Sequence, residues 1–61
     1  SKNKERDAII GYLVEAQDYI QKIRDILTIA AMSKAAKDMI KENLEACAMD
    51  VFNAQDLLIE S

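Results

Sequence analysis

Proline, tryptophan and histidine are absent from this 61-residue chain, and glycine and cysteine occur once each. Without proline, and with Gly11 as the lone internal breaker, nothing opposes long helices, and no stretch reads as a strand. A single cysteine cannot close an internal disulfide. With no histidine there is neither the usual metal ligand nor the usual general base. No glycine-rich loop offers to cradle a phosphate, and no nucleophile stands in a pattern with a histidine base. An enzyme is therefore not expected, nor is any cofactor. Aromatic residues are few (Tyr12, Tyr19 and Phe52), too few for a platform on which bases stack. No apolar run exceeds four residues, so nothing reads as a membrane span or a signal peptide. One free thiol suits a reducing compartment, and a cytoplasmic location is expected. The chain does not begin with methionine, as in a processed protein or a piece of a longer one.

Against these absences, apolar residues make up 51% of the chain, too many for a disordered segment. They are mostly alanine, isoleucine and leucine, mixed with lysine, glutamate, aspartate and glutamine. One domain, residues 1–61, is the most this length allows. Such a chain buries only about 60% of its unfolded surface and has a thin stability margin. With disulfide and metal removed, oligomerisation is the remaining natural reinforcement.

The apolar residues are ordered. Ile9, Leu13, Ala16, Ile20, Ile23, Leu27 and Ala30 recur at steps of four and three, a heptad seam made to be buried against another helix. A second seam runs Ala36, Ile40, Leu44, Cys47, Val51, Ala54 and Leu58. Projecting the first seam forward would select Lys34, Lys37 and Lys41, which cannot continue a buried stripe, so the phase breaks between about Met32 and Ala36. The spacing predicts helix one over about 4–31, a turn near 32–35 and helix two over about 35–60. Asn3 or Asp7 is the candidate N-cap of the first helix and Ser33 of the second. Gly11 falls on the outward side, where it marks a late helix start or a place for close approach of a partner. Asp18 and Lys22 are ordered for an i,i+4 pair on the wet face.

Neither glycine nor proline stops the chain at residues 32–35, so one long kinked helix is the alternative to a hairpin. Charge favours the hairpin. Residues 1–41 carry eight bases against six acids, whereas residues 42–61 carry five acids and no base. Lys2, Lys4 and Arg6 begin the first helix, and Asp56 and Glu60 end the second, each cluster opposing its own helix dipole. Folded antiparallel, the clusters become neighbours and offset each other.

Few residues suggest chemistry. Cys47 lies on the second seam and reads as a small buried hydrophobe, with a thiol or metal sensor as the weaker alternative. The acid pairs Glu15 and Asp18, and Glu42 and Glu45, lie off the apolar seams and read as solvated surface. The run Glu42-Asn43-Leu44-Glu45-Ala46-Cys47, with Glu15-Ala16-Gln17 and Asp25-Ile26-Leu27-Thr28 upstream, resembles the all-helical copper- and formaldehyde-responsive repressors. The likeness consists of common helix formers over half the chain. In that family a histidine four residues before a cysteine supplies metal ligands. Asn43 holds that position here and the other ligand cysteine has no counterpart. The resemblance carries no metal site and does not place the chain in that family.

These readings lead to an all-α, two-helix antiparallel hairpin that assembles as a homodimeric four-helix bundle. The function expected is that of a small non-catalytic oligomerisation, adaptor or regulatory module, working through contacts with itself or another protein. Apolar residues off the two seams, namely Ile10, Tyr12, Tyr19, Ile26, Met39, Phe52 and Ile59, are its expected interface. The alternative is a compact transcriptional or RNA regulator touching nucleic acid through Lys34, Lys37 and Lys41 near the turn. The net charge of −3 weighs lightly against it and against an anionic membrane surface.

Overall fold

The computed structural model describes residues 2–61 as two helices, α1 (Lys2–Ile29) and α2 (Lys34–Glu60), packed antiparallel as a hairpin. The long kinked helix is thereby excluded. Both helices end where polar groups take over the unpaired backbone. At the end of α1, Ala30 N donates to Leu27 O at 3.3 Å and Met32 N to Ala30 O at 2.9 Å. Lys37 reaches across the turn, its Nζ 3.4 Å from Thr28 O, and occupies one of the carbonyls the helix end leaves free. Ser33 is the N-cap of α2, as its position suggests. Its backbone is extended (φ −62°, ψ 151°), and its hydroxyl accepts from Ala36 N at 3.2 Å. Ser61 closes α2, donating its backbone N–H and hydroxyl to Leu57 O.

The start of α1 differs from expectation. The helix is already formed at Lys2, so Asn3 and Asp7 lie within it rather than before it. Gly11 is therefore an interior helical residue and not the mark of a late start. Nothing lies within 4 Å of the place its Cβ would take. The turn also falls two residues earlier, at residues 30–33, because Ser33 caps α2 and lets its first turn begin at Lys34.

The seam inside the hairpin is the main correction. On α1 the residues withdrawn from solvent are Arg6, Ile10, Leu13, Gln17, Ile20, Arg24 and Leu27, at steps of four and three, with Ala16 of the expected seam half-buried beside them. Leu13, Ala16, Ile20 and Leu27 belong to the expected stripe, and Ile20 (7% exposed) and Leu27 (9%) are the only buried apolar residues among those described. Their companions are not Ile9 and Ile23, which stay close to half exposed, but the polar row on the other side. The reason lies in the bonds that row makes. Gln17 Nε2 donates to Ala48 O at 3.1 Å, and Arg24 meets Glu45 at 3.6 Å. α2 therefore leans toward the polar flank of α1. On α2 the inward row is Lys37, Ile40, Leu44, Ala48, Val51, Gln55 and Leu58, flanked by Ala36 and Ala54. Ala48 takes the place expected for Cys47, which is exposed.

The result is a single layer of helices. The Cα extents are 48 × 15 × 9 Å and the radius of gyration is 14.5 Å, against about 10.5 Å for a compact domain of this length. The accessible surface is 4890 Å², whereas a compact monomer of 6.9 kDa exposes about 4000 Å².

Candidate functional site

The two sides of the hairpin differ in character. One side is marked by the Arg24–Glu45 ion pair and the Lys37–Thr28 bond. Near the turn it forms a shallow cleft lined by Gln21, Arg24, Asp25, Thr28, Lys37, Asp38 and Lys41, with Leu27 as its apolar member. Heptad spacing puts Ile10 in the row of Gln17 and Arg24, and puts Phe52 and Ile59 in the row of Glu45. With Val14 one turn from Ile10 and Met49 one turn from Phe52, this side is apolar toward the open end and charged toward the turn.

The other side is apolar along its length. On α1 it carries Ile9, Tyr12, Ala16, Tyr19, Ile23 and Ile26; on α2 it carries Ala36, Met39, Ala46, Cys47, Ala54 and Leu57. Tyr12 is 71% exposed, Tyr19 and Ile26 each 64%, Met39 67% and Leu57 69%. Asn43 and Asp50 are the polar interruptions on α2. Outside α1's apolar row, the Lys22 ammonium lies over the Tyr19 ring, 5.4 Å from its centroid, rather than pairing with Asp18.

The expected interface residues are thus divided between the two sides. Tyr12, Tyr19, Ile26 and Met39 are brought together on the apolar side. Ile10 is half-buried toward the opposite side, with Phe52 and Ile59. The apolar side is completed by Ile9, Ile23 and Cys47, which heptad spacing alone puts in the buried seams, and by Leu57, which lies off both seams. The signal that could have found them is the continuous row Ile9, Tyr12, Ala16, Tyr19, Ile23, Ile26, whose steps of three and four are as regular as those of the inward row.

The turn lysines are engaged locally. Lys34 Nζ lies 2.7 Å from Asp38 Oδ2, and this hydrogen bond, with the attraction of the carboxylate, holds the ammonium above the ordinary lysine range. Lys37 bonds the Thr28 carbonyl, and Lys41 shares its cleft with Asp25 and Asp38. At the open end, Arg6 pairs with Asp7 at 3.4 Å and lines a cleft with Asn3, Ile9, Leu58 and Ser61. The side chain of Lys2, expected beside the acidic end of α2, lies outside the described residues.

Among the described residues no three of cysteine, aspartate and glutamate converge as a metal site, and no helix is long and apolar enough to cross a membrane. Comparison with known proteins finds no matching family model, no matching curated protein and no matching solved structure.

Proposed function

We propose that the chain is a non-catalytic helical module whose work is association with another protein chain, in the first place a second copy of itself. The observation that carries this reading is the one-layer build: 4890 Å² of accessible surface and, among the described residues, only Ile20 and Leu27 buried. Domains are ordinarily two packed layers around a core. The surface in excess of a compact monomer, about 900 Å², matches the roughly 800 Å² that each partner contributes to a standard interface. Burying it completes a four-helix bundle, and a regulatory or adaptor role follows from whatever such a bundle joins. A reducing, cytoplasmic setting keeps Cys47 a free thiol.

Sedimentation equilibrium at micromolar concentration tests the reading. The expected species has twice the 6.9 kDa chain mass, with a melting point that rises with protein concentration. A folded 6.9 kDa species with a concentration-independent melting point would overturn self-association.

The nucleic-acid reading draws on the five bases against two acids in residues 22–41. The ion pairs of Arg24 and Lys34 weaken it. A gel shift with RNA and DNA that weakens as salt rises would favour it over association alone.

A further inference from the structure

Resting on that reading, we infer that the apolar side formed by Ile9, Tyr12, Ala16, Tyr19, Ile23 and Ile26 with Met39, Cys47 and Leu57 docks a second copy. The two hairpins lie antiparallel, the turn of each over the open end of the other. Three observations select this occupant and this arrangement.

The first is self-complementarity. A twofold interface presents the same patch on both copies, so residues must pair with their own symmetry mates. The α1 row is spaced 3, 4, 3, 4, 3, which reads the same in both directions about a point between Gln17 and Asp18. Laid antiparallel on its own copy, it sets Ile9 against Ile26, Tyr12 against Ile23 and the small Ala16 against the large Tyr19. The α2 row Ala36, Met39, Asn43, Ala46, Cys47, Asp50, Ala54, Leu57 is likewise symmetric, about a point between Ala46 and Cys47. It sets Ala36 against Leu57 and Met39 against Ala54, and it pairs its two polar residues, Asn43 and Asp50, with each other.

The second is that one axis serves both rows. The Gln17–Ala48 hydrogen bond fixes which levels of α1 and α2 lie side by side. On that scale the two symmetry points fall within about one residue of each other, roughly 1.5 Å along the helices. A single twofold lying between the two hairpins and crossing the helix axes at right angles therefore satisfies both helices.

The third is charge. The turn end, residues 22–41, has five bases and two acids; the open end, residues 1–7 with 50–61, has three bases and five acids. Antiparallel hairpins place the positive turn end over the negative open end twice. A dimer with both turns at one end would set positive against positive.

Cys47 then stands beside the axis, within disulfide reach of its symmetry mate. With both turns at one end it would instead lie over α1 of the partner near Ala16. The test uses the full chain. Diamide should join two Cys47 thiols, taking up their two electrons and two protons, at least tenfold faster in native buffer than in denaturant. Tyr19→Glu should leave a 6.9 kDa species in the ultracentrifuge, while Phe52→Glu on the opposite side should leave the dimer intact. If Tyr19→Glu also loses helix content, the oxidation rate of the unaltered chain decides alone. A dimer that survives Tyr19→Glu but not Phe52→Glu would overturn this face while leaving the association reading standing. A native dimer whose Cys47 oxidises no faster than in denaturant would overturn the antiparallel arrangement. An unaltered chain that sediments as a monomer would overturn both.

Discussion

Ile20 is the best-buried residue of the hairpin, 7% exposed, with Leu13 and Leu27 one heptad to either side. Ile20→Asp puts an unpaired carboxylate among apolar side chains, at a cost of several kcal/mol that so thin a core cannot absorb. Circular dichroism should show its helix content lost at temperatures where Asp18→Ala, on the wet face, still melts like the parent. Ser33 acts through a single bond to Ala36 N, and Ser33→Ala should cost about 1 kcal/mol in a urea titration. The Lys34–Asp38 pair is a smaller matter, being fully exposed. Because the folded pKa of Lys34 is raised, its contribution is complete at neutral pH and is lost only as the pH climbs through the folded pKa. In Asp38→Asn the Lys34 side chain should titrate at lower pH, as followed by NMR of its Cε. At this scale the sequence was partly legible. Ser33 as N-cap and Ile20 as core follow from local spacing. Cys47 does not, because Cys47 and Ala48 are neighbours on the helix and only the position of α1 decides which of them turns inward.

The helices themselves were legible because composition and period agree: no proline, a single glycine, and apolar steps of three and four throughout. Their boundaries were less so. Helix ends depend on which groups meet the free backbone, and here Lys37 from across the turn completes the end of α1 while Ser33 caps the start of α2. Gly11 lies in the interior of α1 with open space where a Cβ would go. Gly11→Ala should therefore stabilise the chain by up to about 1 kcal/mol, through backbone entropy and helix propensity. A thermal melt showing destabilisation would place a partner's backbone at that position.

For the whole molecule, α1 presents two rows to either side of Leu13, Ile20 and Leu27. One is polar, with Arg6, Gln17 and Arg24; the other is apolar, with Ile9, Ala16 and Ile23. The hairpin closes on the polar row and leaves Ile9 and Ile23 close to half exposed, with only the small Ala16 partly covered. A polar residue in such a seam selects one register at some cost in stability. Gln17→Leu with Arg24→Leu should make the two rows nearly equivalent, and sedimentation velocity should then show a broadened mixture beyond the dimer.

What the sequence by itself determined is helix content, the break near Ser33, the antiparallel sense and the Leu13–Ile20–Leu27 stripe. Each is written in local propensity, in period, or in charge set against a helix dipole. Which flank of that stripe lies inside the hairpin was left to the tertiary structure. Ile9 and Ile23 compete there with Gln17 and Arg24, and on burial alone the isoleucines should win. They lose because Gln17 finds the Ala48 carbonyl and Arg24 finds Glu45 only when α2 leans to their side. Those partners are some twenty to thirty residues away along the chain, beyond the reach of any local pattern, and meeting them leaves Tyr12, Tyr19 and Ile26 of α1 exposed, away from α2.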